Sequence, residues 1–278
     1  AIAEQLSLSK DGPTLHESLQ NVSGNQDIAV IVHLSEKPVA LEQGISQVKG
    51  KKFSNAQANE VRSNVKAQQV KVKKELTAKQ VQMTQGYTFD TVLNGFAATI
   101  KANDIPKLLS VDGITLIEPD ATVYASEDPT LKSSELIKED TLEAQMNTSI
   151  SYLGIEKLWN EGIEGQGIKV AVLDTGIDAD HPEFAGIYKG GKNFIPHSAT
   201  YSKPRADDDA SETLPSERPA GTPEFNANGS SFYTSHGTHV AGTIAAIGAN
   251  EFGIKGIAPK IDLYAYRVLG AYGSGATS

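Results

Sequence analysis

A chain of 278 residues with 39% hydrophobic side chains and 25 glycines holds enough material for one large or two ordinary globular domains. Its 25 Lys and Arg against 34 Asp and Glu leave a formal charge of -9, which argues against a nucleic-acid partner, since phosphate binding needs a basic surface. No apolar run approaches bilayer-spanning length, so no membrane partner is expected, and the absence of cysteine means that folding needs no oxidation.

Residues 1–26 are polar and turn-rich (Asp11-Gly12-Pro13, Ser23-Gly24-Asn25) and are expected to form a flexible extension; Ala1-Ile2-Ala3-Glu4 has neither the charge nor the apolar core of a signal peptide. The β-branched content of residues 27–34 predicts a strand. Residues 51–79 turn helical, with Val61, Val65, Val72 and Leu76 on one face and Lys66, Lys71, Lys73 and Lys74 mostly elsewhere. Residues 87–100 read as extended, Asn94-Gly95 marking a hairpin turn or a bulge. Asn103 is placed to cap a short helix through Leu109, with Pro106 tolerated in its first turn. Residues 114–119 and 121–124 make a last strand, Pro119 implying an edge or bulge. Strand, helix, strand or hairpin, helix, strand is the order of a small α+β domain of the split βαβ type, expected over residues 27–126 and devoid of a catalytic cluster.

Residues 127–149 are acidic and polar (Glu127-Asp128-Pro129, Glu139-Asp140, Glu143) and read as a linker. A second domain is expected over residues 150–278. Leu158 and Trp159 supply apolar surface, Gly162, Gly165 and Gly167 supply turns, and residues 168–173 are apolar enough for a buried parallel strand. With another strand over residues 261–269, an α/β layered sheet follows. Residues 194–235 read as a polar surface insertion, whose Asp207-Asp208-Asp209 run is either solvated or cation-binding.

Asp174 ends the apolar strand, at the edge where open α/β sheets place functional groups. A carboxylate there can hold an imidazole in one tautomer. His236 opens a helix whose apolar body is Val240, Ala241, Ile244, Ala245 and Ile247, and a neutral imidazole can take a proton from a serine hydroxyl. Asp174-Thr175-Gly176 also suits a two-aspartate protease, but that chemistry needs a second such tripeptide, which the sequence lacks. His236 and His239 could form a metal pair. A zinc protease would want His-Glu-x-x-His or a third ligand nearby, and neither occurs, so no metal is assigned.

Four segments then carry a resemblance: Gly167-Ile168-Lys169-Val170-Ala171-Val172-Leu173-Asp174-Thr175-Gly176-Ile177-Asp178, His181-Pro182-Glu183-Phe184, Ser235-His236-Gly237-Thr238-His239-Val240-Ala241-Gly242-Thr243 and Gly256-Ile257-Ala258-Pro259. They resemble the subtilisin-like serine proteases. The resemblance implies Asp174 as orienting acid, His236 as general base and His239 as a structural residue of the helix. It also implies a substrate-pairing edge strand through Leu269, Gly270, Gly273, Ser274 and Gly275, with Leu269 walling a pocket. Tyr87, Asn94-Gly95-Phe96-Ala97-Ala98 and Ile117-Glu118-Pro119-Asp120 resemble the family's I9-type inhibitory propeptide, a ferredoxin-like βαββαβ fold. In that comparison Glu118 and Asp120 lie against helix N-termini of the protease domain, where carboxylates are favoured.

The long insertion gives a layout similar to the Vpr type of minor extracellular protease of bacilli. Implied with it are polypeptide substrates, the chain's own propeptide as intramolecular inhibitor and folding chaperone, a secreted, extracellular location and no required cofactor, with a structural calcium ion left open. Glu183 replaces the family's common aspartate, and residues 248–253 depart from its calcium loop. No Gly-Thr-Ser-x-Ala nucleophile motif occurs in the 278 residues, so this chain alone is expected to be inactive. Processing is expected near Ser126-Glu127 or in the low 140s. The alternative is a freestanding inhibitory or binding module.

Overall fold

The computed structural model describes residues 12–125, 145–199, 202–249 and 254–276. It separates into two compact units that divide between Ala121 and Thr122, ahead of the boundary expected after residue 126.

In chain order the first unit runs β1 (Thr14–Leu15), β2 (Asp27–Leu34), α1 (Val39–Val48), α2 (Asn55–Ala78), β3 (Met83–Phe89), β4 (Gly95–Lys101), α3 (Ile105–Leu109) and β5 (Ile114–Pro119). The strands form one sheet in the order β1-β5-β2-β4-β3. Strand β2 is central because it is the most apolar. It pairs antiparallel with β4 and β5, and Val30 and Val32 point into the core. Helix α2 begins with a reciprocal capping box between Ser54 and Gln57, and buries Val65, Gln69, Val72 and Leu76 at alternating spacings of four and three residues. Val72 and Leu76 meet Phe96, Ile100, Leu108 and Ile117 there. Truncating fully buried Phe96 to alanine would cost about 3–5 kcal/mol at such a site.

Several sequence expectations change here. The described part of the N-terminal extension is not loose: Thr14–Leu15 pairs in parallel with β5, and Leu19 joins the core at 4% exposure. Asn94-Gly95 sits where the hairpin connection between the antiparallel β3 and β4 ends: Asn94 is the last residue of that connection and Gly95 opens β4, where a Cβ would stand 2.2 Å from the carbonyl oxygen of Val32. Asn94 is buried, its amide donating to Glu36 O and Gln68 Oε1. Asn103 does not cap the short helix; its side chain accepts the Gly24 N–H at 2.9 Å, and Asp104 stands at the cap position. Residues 114–124 form two strands in different units instead of one.

The second unit runs β6 (Thr122–Tyr124), α4 (Gln145–Leu153), α5 (Ile155–Asn160), β7 (Lys169–Asp174), β8 (Tyr188–Asn193), α6 (His236–Ala245), β9 (Asp262–Arg267) and β10 (Ser274–Ala276). Strands β7, β9 and β8 make a parallel sheet in that order, and β6 pairs antiparallel with β10. The unit is mixed α/β with parallel strands. Ala241 and Ala245 of α6, too small to hold the helix away, are buried against Val172, Leu263 and Ala265. The apolar run 168–173 is only half buried: β7 bonds β9 alone among the described residues, and Leu173 is 62% exposed. Helix α4 begins at Gln145, five residues before the expected domain start; both expected processing sites, Ser126-Glu127 and the low 140s, fall outside the described residues.

Candidate active site

Two glycines let the end of β7 and the start of α6 touch. A Cβ on Gly237 would lie 2.2 Å from Gly176 O and 3.1 Å from the Asp174 Cβ. Gly176, at φ 131°, would meet Ser211 O, Ala210 O and Glu212 N, all within 2.8 Å. A larger residue at Gly237 would push the helix off the strand end, and one at Gly176 would push away residues 210–212. The hydroxyl of Thr175 accepts the Gly237 N–H at 2.9 Å and fastens the contact.

This closure brings Asp174 and His236 together. His236 Nδ1 lies 2.8 Å from Asp174 Oδ1 and 3.0 Å from Oδ2. An ionised carboxylate only accepts, so Nδ1 carries a proton, and in the neutral ring Nε2 is left as an acceptor. Asp174 Oδ1 also accepts the Thr175 N–H at 2.6 Å, and the Asp174 carbonyl accepts from Val268 and Leu269. The aspartate is thus fixed by its own turn and by the end of β9, while the imidazole keeps a part-exposed edge. His239 is exposed.

The residues that hold the helix start come from the insertion, and sequence reading missed them. Ser235 stands at the cap position without a capping bond. In its place buried Glu212 accepts from the Thr238 N–H (2.9 Å) and hydroxyl (3.0 Å) and from the Thr234 hydroxyl (2.6 Å). A carboxylate suits a helix N-terminus both as acceptor and as charge. Beside it Arg267, 1% exposed, donates to Asn193 Oδ1 and Thr213 Oγ1. Burial, then the nearby Arg205 cation, push its pKa down to about 10 against the pull of Glu217, Glu212 and Asp209, so it stays charged at neutral pH. Arg205 pairs with Glu217 and donates to the carbonyls of Ser211 and Glu212. The insertion is thus a surface segment whose Asp207 and Asp208 are exposed, and which also carries a buried charge network that buttresses the helix start. Within its acidic run Asp209 accepts from the Ser211 N–H and stands 3.7 Å from Arg205 Nη1.

The expected edge strand over residues 269–275 is shorter. Residues 271–273 form a turn with Tyr272 and Gly273 in the left-handed region, and β10 begins at Ser274. Leu269 is 8% exposed. Gly275, Ser274 and Gly273 face β6: Val123 pairs with Gly275 and Tyr124 with Ser274, and the Ala125 N–H donates to Gly273 O at 2.7 Å. Gly270 closes the turn by donating to Ser274 O at 2.7 Å. In the first unit Glu118 is bonded to His33 (2.6 Å), and the Asp120 N–H donates to Ala29 O.

Of the loop that departs from the family's calcium loop, residues 250–253 fall outside the described residues. Glu183 Oε2 accepts the N–H groups of Gly248 (2.7 Å) and Ala249 (3.2 Å), so the carboxylate closes that turn with amide donors. Among the described residues no three His, Cys, Asp or Glu side chains form a metal-binding group.

Sequence comparison agrees with this division of labour. Residues 29–126 match the peptidase inhibitor I9 family and residues 165–278 the subtilase family. The chain is 36% identical over 92% of its length to the minor extracellular protease Vpr of Bacillus subtilis, covering 28% of that protein. It is 38% identical over 51% of its length to an intracellular serine protease of Paenibacillus polymyxa, covering 35%. Against subtilisin E of Bacillus subtilis the figures are 37% over 51%, covering 30%. The chain thus spans about a third or less of the length of these relatives. It belongs to the subtilase family and carries an I9-type domain ahead of its subtilase part.

Proposed function

We propose that the chain is the N-terminal part of a secreted subtilisin-like serine endopeptidase precursor. Asp174 orients His236, and His236 Nε2 takes the proton of a serine supplied by sequence beyond the 278 residues, as that serine attacks a peptide carbonyl. The observation that carries this reading is the 2.8 Å bond from His236 Nδ1 to Asp174 Oδ1, which leaves Nε2 free of the proton it must accept.

The I9-type domain is read as intramolecular inhibitor and folding chaperone; the strand order β5-β2-β4-β3 supports its ferredoxin-like assignment. Glu118 and Asp120 remain its proposed contacts to the protease domain. Strand β6 is read as a product-like occupant of the substrate edge formed by Gly273, Ser274 and Gly275, with Leu269 and Gly270 behind it. Antiparallel to β10, β6 runs from the Ala276 end toward Gly273 and so toward Leu269, whose N–H is bonded to Asp174 O. That direction favours processing just past Ala125, near Ser126-Glu127, over the low 140s. Polypeptides are the substrates, and no cofactor takes part.

A serine-reactive fluorophosphonate on the full-length protein tests the reading. Labelling that disappears in His236→Ala supports it; equal labelling of the variant, or labelling of the 278-residue chain itself, overturns it. N-terminal sequencing of the matured enzyme tests the processing site, and a start before Ala121 rejects the product-strand reading.

A further inference from the structure

We infer that Tyr272 and the loop over residues 223–232 form a brace that fixes the peptide-binding edge, making Tyr272 a positioning residue for extended substrates. The inference rests on the reading of β10 as the substrate edge. Tyr272 has φ 60° and ψ 16°, the left-handed region that non-glycine side chains rarely adopt. Such a conformation persists only where its surroundings impose it.

The surroundings that impose it belong to the insertion. The Tyr272 hydroxyl donates to Pro223 O at 2.5 Å. Its ring stands edge-on to Phe232, centroids 5.3 Å apart at 84°, and its N–H donates to Phe232 O at 3.3 Å. Phe232 is fully buried. The loop between these partners is closed on itself: Phe232 N–H donates to Glu224 O at 2.7 Å, and Asn226 Oδ1 accepts the N–H groups of Asn228 and Ser230. Tyr272 therefore rests on an ordered support, and the same segment leads directly into His236.

The effect of the brace falls on the next residue. Gly273 is also left-handed, at φ 65°, and together the two residues aim the Gly273 carbonyl at the Ala125 N–H. A Cβ on Gly273 would come within 3.2 Å of the Ala125 Cβ, so the approach is already close. Substrates long enough to place a residue where Ala125 lies use this carbonyl; shorter ones do not. The brace thus selects for substrate length on the amino-terminal side of the scissile bond.

The test compares Tyr272→Ala and Tyr272→Phe with the parent in the full-length enzyme, using a tetrapeptide substrate and one with a single residue before the scissile bond. Tyr272→Ala is expected to lose at least tenfold more kcat/KM on the tetrapeptide than on the short substrate, mainly through KM. Tyr272→Phe, which keeps the ring, is expected to recover most of that loss. Equal losses on both substrates overturn the inference. Hydrogen exchange on the 278-residue chain supplies a readout that needs no activity. The Ala125 amide should exchange at least tenfold faster in Tyr272→Ala while α6 amides hold their rates; unchanged exchange at Ala125 rejects the brace. Absence of hydrolysis in the parent would count against the proposed active site, and the exchange result would still decide the brace.

Discussion

The Cα of Gly237 lies so close to the carbonyl of Gly176 that a single methyl group between them would stand 2.2 Å from the oxygen. The two glycines come from motifs 61 positions apart, and their contact sets how near the helix start comes to the aspartate. Gly237→Ala should therefore destabilise the second unit by about 1–3 kcal/mol, as overpacking of a tight site does. Urea unfolding of the 278-residue chain measures this, and an unchanged midpoint would contradict the close fit.

Asp174→Asn should leave the fold in place and reverse the imidazole. An amide can offer its NH2 to Nδ1, which moves the ring proton to Nε2, the wrong place for a general base. In the full-length protein kcat should fall by about 10^4-fold. In the 278-residue chain the nitrogen shifts of His236 should report the exchanged tautomer. Retention of the Nδ1–H form would show that Asp174 does not set it.

Glu212 makes a separate prediction, because three donors converge on its carboxylate. Glu212→Ala orphans them at a helix start that has no other side-chain cap, at an expected cost of about 1–3 kcal/mol. Glu212→Gln keeps one acceptor oxygen and should lose less. The amide of Thr238 is the local reporter: its exchange should quicken in the alanine variant, and equal protection in both variants would remove Glu212 from the cap.

The first unit has an acid-sensitive anchor of its own. Lys107 donates to Asp104 at 2.7 Å, and the Gln82 N–H donates to it at 3.1 Å. The Lys107 bond, outweighing burial and aided by the Gln82 amide, holds the Asp104 carboxyl below its ordinary range. A folded value below the unfolded one means the contribution is complete above the unfolded value, about 3.9. It is lost as the pH falls from there through the folded value. Urea midpoints should therefore decline more steeply below about pH 4 in the parent than in Asp104→Asn; parallel profiles would refute the anchor.

How much of this could be read from the amino acids depends on how far apart the cooperating residues lie. Asp174 and His236 are each embedded in a compact run where an apolar strand or helix abuts a glycine, so their types and local setting were legible. Glu212, Arg267 and Tyr272 act across the insertion, on partners that no local period marks. Glu212 reads as one more acid in a polar stretch until Thr234 and Thr238 close on it. Helix α1 escaped notice because Gly44 interrupts a short apolar pattern. Strand β8 did so because Tyr188–Asn193 contains two adjacent glycines and looks like a turn. Gly191 is needed there, since its missing Cβ would stand 2.2 Å from Ala265 O on the neighbouring strand. Asn94-Gly95 signalled the hairpin connection between β3 and β4, but not that Asn94 would be buried there.

Strand β6 is covalently part of the chain whose edge it covers, so its occupancy of β10 is governed by effective concentration and not by affinity. Three paired residues and the Ala125 bond would make a weak ligand if added from solution. Attached, they can hold the edge closed. Severing the chain anywhere after Ala125 leaves every contact of β6 intact and changes only its tether, so the edge would open on the timescale of strand dissociation and not at the moment of the cut.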